Sequence, residues 1–322
     1  SWADPEVFNK ALENRIRDIR PCVNCNYCNE TGNIGVWRGD CAINPGMGRS
    51  EEAAIKKAEA SKKVLVVGGG PGGMEAARIA AFRGHKVTLM EKGSKLGGTV
   101  LTSYNVIGTE EYLRPFIEWE ERQCKKLGVK IQLNKKVTAR DVADFKPDAV
   151  IVASGAIPFV PSELGAGKAN MVIAEDIING KAKVGGKVVV VGGAVVGMET
   201  AELIVTKGMS KDVTVLEKLP MAMLGGDPVF MAYFMQNVLP NLPINILTDM
   251  NVVQITGKVV VAFDKQEFKA DYVVMATGYT PDSALYDSIK GKYKDVYNIG
   301  DSRKPRRIMD AVHEAYYFAQ QI

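Results

Sequence analysis

Residues 63–92 read "KVLVVGGGPGGMEAARIAAFRGHKVTLMEK", and the fold turns on how this stretch is read. "KVLVV" is a short, unbroken apolar run ended by glycine, as expected of a strand buried on both faces. "MEAARIAAF" is Ala-rich and free of turn residues, so it reads as a helix. "KVTLM" is a second run of strand length. Strand, glycine turn, helix and strand within about 30 residues make one complete βαβ unit. Gly68, Gly70 and Gly73 spell G-x-G-x-x-G between the first strand and the helix. The first glycine permits the tight turn and the second lets the backbone approach a pyrophosphate. The third lets helix and strand pack closely, with the helix N-terminus facing the phosphates. Glu91 ends the second strand, where a carboxylate can accept hydrogen bonds from ribose hydroxyls.

The unit recurs at residues 187–218, "KVVVVGGAVVGMETAELIVTKGMSKDVTVLEK". Here Gly192, Ala194 and Gly197 give G-x-A-x-x-G, with Gly193 between the first two and Glu217 closing the second strand. A carboxylate at that strand end favours a free 2′-hydroxyl and repels a 2′-phosphate, which argues for NADH over NADPH. Lys218 follows directly and blunts that preference. Two such units starting more than a hundred residues apart mean two nucleotide-binding folds. The phrases "IVASGAIP" (151–158) and "VMATGYTPD" (274–282) look like partners, each marking the chain leaving one fold for the other. The expected architecture is α/β, with two interleaved doubly wound nucleotide-binding domains. Residues 61–183 plus 277–322 form the first, residues 184–276 the second, and residues 1–60 a small leading segment and linker. Within that lead, "ALENRIRDIR" and "SEEAAIKKAEA" have helical patterns.

The lead carries four of the five cysteines of the chain. Cys22, Cys25 and Cys28 stand at C-x2-C-x2-C, with Cys41 a dozen residues later. In a cytoplasmic chain, clustered cysteines are metal ligands or redox groups more often than disulfides. Three thiolates at close spacing with one remote partner suit the corner irons of a 4Fe-4S cluster. Zinc, which favours two C-x2-C pairs around a longer gap, remains the alternative. Cys124 stands alone in "EEYLRPFIEWEERQCKKLG" and reads as a buried structural thiol. His85 and His313 also read as structural. Asp301, in "NIGDSRKPRR", lies after a strand and before a helix, where a helix N-cap would account for it. The basic residues Arg303, Lys304, Arg306 and Arg307 read as a solvated loop. No Ser–His–Asp or paired-carboxylate arrangement emerges.

Composition excludes several classes. Of 322 residues, 46% are hydrophobic and 24% charged, and 41 Lys and Arg against 37 Asp and Glu leave a net charge of +4. That balance is too mild to argue for nucleic acid. Runs such as "KVVVVGGAVVG" fall short of the ~20 apolar residues of a bilayer span. The opening "SWADPEVFNK" has neither the basic nor the apolar region of a secretory signal. It also lacks a start methionine, as a processed or shortened chain would.

With these residues laid out, the chain resembles the C-terminal half of the iron–sulfur flavoenzymes related to 2,4-dienoyl-CoA reductase, enoate reductase and trimethylamine dehydrogenase. The resemblance rests on "ADPEVFNKALENRIRDIRPCVNCNYC", "CAINPGMGR", "VLVVGGGPGGMEAA", "VVVVGGAVVGMETA", "ATGYTPD" and "IGD", and covers essentially the whole chain. It implies a glutathione-reductase-like pair of domains. Cys22, Cys25, Cys28 and Cys41 would be cluster ligands; Gly68, Gly70, Gly73, Glu91 and Asp301 would bind FAD; Gly192, Gly193, Gly197 and Glu217 would bind NADH. It further implies an FMN-bearing (β/α)8 barrel, as a preceding domain or a partner subunit, and an oligomer. That barrel would reduce a C=C bond conjugated to a carbonyl or thioester and would dock on an apolar patch around Val36 and Trp37. In amine-dehydrogenase-like members the first fold holds ADP and passes no electrons. A glutamate synthase small subunit also joins cysteine clusters to this double fold, but it would need a longer cysteine-bearing N-terminal domain. One departure stands out: family members usually separate the second and third cysteines by three residues, whereas this chain has two.

Overall fold

The computed structural model describes residues 1–29, 39–49, 54–165, 170–222, 232–257, 259–263 and 265–322. Val36 and Trp37 lie outside the described residues. The chain divides into two compact units. Residues 1–104, 111–157 and 280–322 form one, and residues 105–110 and 158–279 form the other.

The first unit opens with α1 (Val7–Leu12) and continues through β1 (Lys63–Val67), α2 (Pro71–Phe82), β2 (Lys86–Met90), α3 (Val100–Ser103), α4 (Glu110–Lys126), β3 (Lys130–Gln132), α5 (Ala139–Phe145) and β4 (Ala149–Val152). The chain leaves through β5 (Ala156–Pro158). The second unit holds β6 (Met171–Ile173), α6 (Ala174–Ile178), β7 (Lys187–Val191), α7 (Val195–Thr206), β8 (Asp212–Leu216), β9 (Ile244–Leu247), β10 (Val252–Thr256), β11 (Val259–Ala262), β12 (Glu267–Lys269) and β13 (Tyr272–Met275). The return runs through β14 (Tyr279–Pro281), α8 (Ala284–Ile289), β15 (Asp295–Asn298) and α9 (Ile308–Ala319).

Each unit carries a five-stranded sheet, ordered β15-β4-β1-β2-β3 in the first and β6-β13-β7-β8-β9 in the second. Every pair in the first sheet is parallel, as is every pair in the second. The apolar runs read as strands are buried on both faces because helices cover them. In β1, Val64 and Val66 join the core with Met74 and Ile79 of α2, while Leu65 and Val67 pack with Val142 of α5. In the second unit Val188 and Val190 pack on Met198 and Ile204 of α7. Strands β10 and β11 pair antiparallel, and β12 extends that sheet. The two crossing phrases do pair, as β5 with β14.

The compact units exchange the chain at 157/158 and 279/280, where 183/184 and 276/277 were expected. The earlier first crossing follows from β6, which pairs in parallel register with β13 (Met171 opposite Val273) and so joins the second sheet. The helical reading of the lead holds only in part. Its first helix ends at Leu12, and Asn14 takes a φ of 55°, leaving a single 3-10 turn at Ile16–Asp18. Residues 54–60, expected to be helical, are not. The Ala58 N–H instead donates to the Arg83 carbonyl at 2.9 Å, beyond the end of α2. Residues 50–53 lie outside the described residues.

Candidate functional site

The glycine turn of the first unit is shaped by packing at two of its glycines and left open at the third. Gly68 sits at φ +107°, and a Cβ there would stand 2.1 Å from the Ala153 carbonyl oxygen. At Gly73 a Cβ would stand 1.9 Å from the Gly68 carbonyl oxygen, so strand end and helix start touch backbone to backbone. Gly70 is different. It is the N-cap of α2 at φ −74°, and a Cβ there would meet nothing nearer than the Gly98 Cα at 3.8 Å. The fold alone does not demand glycine at 70; the open approach above the helix N-terminus is what a pyrophosphate needs.

Glu91 is 8% exposed and does more than the sequence led one to expect. Its Oε2 accepts from the Gly69 N–H at 2.6 Å, and its Oε1 from the Gly93 N–H at 2.6 Å. The carboxylate therefore braces the turn from the neighbouring strand end. A carboxylate oxygen accepts more than one hydrogen bond, so ribose hydroxyls can share it.

The second unit repeats the device. Gly192 has φ +101°, with a notional Cβ 2.4 Å from the Ala276 carbonyl oxygen, and Gly197 would approach the Gly192 carbonyl oxygen at 1.9 Å. Glu217 accepts from the Gly193 N–H at 2.6 Å and from the Leu219 N–H at 2.8 Å. Gly193 is confined by this brace, since its Cβ would lie 2.9 Å from the Glu217 Cβ. Ala194 caps α7 at φ −67°, ψ 178°, close to the −74°, 179° of Gly70, so alanine fits the same backbone. Lys218 is exposed beside the brace.

Two residues after the third glycine each motif has a glutamate that the sequence reading passed over. Glu75 in α2 has no exposure and binds Arg78 through both oxygens, at 2.7 and 2.8 Å. Glu199 in α7 is pushed up to about 7, first by burial and then by the charge of Glu202. An acidic residue inside an otherwise apolar, Ala- or Val-rich helix start was the available signal.

Asp301 lies in the 3-10 turn Gly300–Ser302 and does not cap a helix. Its Oδ1 accepts from the Arg306 N–H at 3.0 Å and closes the loop. Burial raises this carboxyl, against the Arg306 N–H and charge. Helix α9 starts later, with Asp310 Oδ2 accepting from the Arg307 N–H at 3.1 Å. The adjacent arginines fold back onto α9: Arg303 bonds Glu314 at 3.0 Å, and Arg306 bonds both Glu314 and Asp310.

The four cysteines of the lead carry free thiols; Cys22 is exposed, Cys25 and Cys28 are half-buried and Cys41 is buried. Among the described residues no group of three or more His, Cys, Asp or Glu side chains forms a ready metal cage. The thiols nevertheless lie within electrostatic range of one another. Burial pushes the Cys25 thiol up, the Tyr27 N–H opposes this, and Cys41, Cys22 and Cys28 add to the rise. The Cys22 sulfur accepts from the Asn24 N–H at 3.3 Å. Burial also pushes Cys41 up, while the Ile43 and Asn44 N–H groups and Arg20 pull it down. On the opposite side the His313 Nε2 of α9 pairs with the Cys41 carbonyl at 2.9 Å. Cys124 is buried and donates to the Met74 carbonyl at 3.3 Å. His85 accepts from the Lys62 N–H at 3.1 Å. Among the described residues no helix is long and apolar enough to cross a membrane.

Comparison with known proteins agrees with this geometry. Residues 62–316 match the pyridine nucleotide-disulphide oxidoreductase family. The cinnamate reductase of Clostridium sporogenes is 35% identical over 99% of this chain and 48% of its own length. The NADH oxidase of Thermoanaerobacter brockii is 37% identical over 99% of this chain and 50% of its own. Among solved structures, a 2-naphthoyl-CoA reductase superposes with a TM-score of 0.91 at 33% identity, over 100% of this chain and 49% of that one. The chain thus spans about half the length of these relatives. FAD and NAD(P) binding and oxidoreductase chemistry follow from the family match. The chain belongs to the pyridine nucleotide-disulphide oxidoreductase family, in the form found in the C-terminal flavin-reductase half of enoate reductase and trimethylamine dehydrogenase relatives.

Proposed function

We propose that this chain is the electron-input half of an NADH-dependent iron–sulfur flavoenzyme of the cytoplasm. FAD would occupy the first turn and NADH the second, with a 4Fe-4S cluster on Cys22, Cys25, Cys28 and Cys41. The residues fit these groups. Gly70 leaves a cradle that a Cβ would occupy, and four neighbouring thiols with N–H donors on sulfur are a cluster's ligand chemistry. Flavin supplies the conversion of a two-electron hydride donor into single electrons, which a cluster can carry to FMN on a (β/α)8 barrel domain or subunit.

The chain's own residues would bind and orient. The first-turn amides of α2 and α7 face the phosphates, and Glu91 and Glu217 hold the turns and offer lone pairs to ribose. Glu217 disfavours a 2′-phosphate by like charge. The terminal reaction would be reduction of a C=C bond conjugated to a carbonyl or thioester, on the barrel and in an oligomer. The observation that carries this reading is the pairing of two braced glycine turns with a four-cysteine lead, in a chain that aligns end to end with half of several reductases. Anaerobic purification, metal and sulfide analysis, and mass identification of the extracted nucleotide test it. About four iron and four sulfide per chain, with FAD, are expected. Zinc without sulfide would overturn the cluster, and ADP in place of FAD would make the first fold a structural module.

A further inference from the structure

Helix α4 carries a carboxyl that neither turn explains. Glu120 has no exposure, and neither of its oxygens meets a hydrogen-bond donor. Its neighbour is the other fully buried carboxyl, Glu75 of α2, within hydrogen-bond reach. Both Glu75 oxygens are already taken by Arg78. Two carboxylates cannot share such a place without a donor, so one carries a proton. Arg78 keeps that proton off Glu75. Burial alone would raise Glu75, but the adjacent guanidinium outweighs it and holds the carboxyl down. Burial and then the Glu75 charge push Glu120 well up. Protonated Glu120 donates to Glu75, and its missing donor is accounted for.

The second guanidinium of the group comes from the cysteine segment. Arg20, two residues before Cys22, stacks on the Trp119 ring at 4.6 Å from the centroid, with Arg78 at 5.6 Å from the same ring. Arg20 Nη1 also donates to the Ile43 carbonyl, two residues beyond Cys41. It thus ties both ends of the cysteine segment to α4. Its charge reaches Cys41. Nearby, Asp4 is matched by Lys10 at 2.8 Å. Other titratable groups facing the cluster of charges are Cys124 on α4 and Tyr316 and His313 on α9, and burial favours the neutral form of each. Two guanidiniums, one carboxylate and one carboxylic acid leave one positive charge in excess.

We propose that Arg20, Arg78, Glu75 and Glu120 are positioning residues that hold this excess buried charge against the four-cysteine segment and favour the reduced form of the group bound there, with the proton on Glu120 retained throughout. The inference rests on the cysteines holding an iron–sulfur cluster. Reduction adds one electron, drawn from the flavin of the proposed relay, and no proton is taken up, since Glu120 already carries it.

The test is a redox titration of the cofactor-loaded chain, followed by electron paramagnetic resonance at several pH values, with infrared spectroscopy of the buried carboxyl. The wild-type midpoint should stay flat across the neutral range. Glu120→Gln, which mimics the acid form, should leave it unmoved and abolish the infrared band of a protonated carboxyl. Glu75→Gln should raise it by removing the one negative charge. The double variant Glu75→Gln/Arg78→Gln removes one charge of each sign, should keep the wild-type value, and serves if the single variant does not fold. A wild-type midpoint that falls with rising pH, and flattens in Glu120→Gln, would overturn the retained proton. An unmoved Glu75→Gln midpoint, or a shifted double variant, would overturn the charge coupling. A wild-type chain without iron and sulfide would remove the cluster and the tuning role together; the infrared band would then still report the proton on Glu120, so the two failures are separable.

Discussion

Gly70 and Gly73 lie in one turn, yet substituting alanine for each should damage different properties. At Gly73 the added Cβ meets the Gly68 carbonyl oxygen at 1.9 Å, roughly 1.5 Å inside ordinary van der Waals contact. The obstacle is backbone, so helix and strand must part. Overpacking of a tight interior costs about 1–3 kcal/mol, and a rigid carbonyl argues for the upper end. For a unit of this size that is a fall in unfolding midpoint of roughly 6–12 °C. At Gly70 the backbone is in the extended region and the nearest atom is 3.8 Å from the new Cβ. Gly70→Ala should leave the nucleotide-free chain unchanged, or raise its stability by about 0.4–1 kcal/mol through the unfolded chain. The methyl group would nevertheless stand where the pyrophosphate approaches, and FAD affinity should fall by about tenfold or more, equivalent to about 1.4 kcal/mol. Thermal unfolding of stripped protein and fluorescence titration with FAD separate the two quantities. If Gly70→Ala unfolds as early as Gly73→Ala, or binds FAD normally, the division of labour within the turn is wrong.

Glu199 should make the second unit less stable as pH rises. Its folded carboxyl is pushed up to about 7 against roughly 4.3 unfolded, so the folded state holds the extra proton between those values and stability declines across that window, by at most about 4 kcal/mol. Glu199→Gln should flatten the decline between about pH 4 and 7 in chemical unfolding; an unchanged slope would exclude this group as its source. Glu217 should make NADH the faster reductant of bound flavin by roughly five- to thirtyfold, from ~1–2 kcal/mol of like-charge opposition, with Lys218 narrowing the margin, and faster bleaching by NADPH would refute the assignment. Cys25→Ser should lose iron and sulfide while both nucleotide folds stay soluble, as read by metal analysis and circular dichroism. The isolated chain should oxidise NADH with ferricyanide yet show no 2-enoate or enoyl-CoA reduction, because hydride delivery to an alkene needs a flavin stacked on the substrate and a positioned acid. Measurable alkene reduction would contradict that.

The glycine turns were legible because their constraints are local. A positive φ at Gly68 and Gly192, and contacts at Gly73 and Gly197 that exclude any side chain, leave a signature within a few residues. The parallel sheets were legible for a similar reason: a strand covered on both faces has to be apolar at nearly every position. What escaped was set at long range. Residues 54–60 favour a helix by composition, but a hydrogen bond to Arg83 holds Ala58 in another conformation. The pairing of Glu75 with Glu120 depends on α2 and α4 meeting in the core, and neither segment alone shows it. The backbone hydrogen bonds of Glu91 and Glu217 went unseen, because an acidic residue at a strand end looks the same whether it serves a ribose or its own backbone.

Those two braces bear on the order of events in the life of the chain. Each turn reaches its working shape using hydrogen bonds supplied from within, at Gly69 and Gly93 in one unit and at Gly193 and Leu219 in the other. A newly made chain can therefore fold first and collect its nucleotides afterwards. The bound nucleotide then adds stability by mass action, in proportion to its concentration over its dissociation constant. Losing a cofactor becomes a reversible vacancy, and a stripped chain should refill on simple mixing, with no refolding step between the empty and the loaded states.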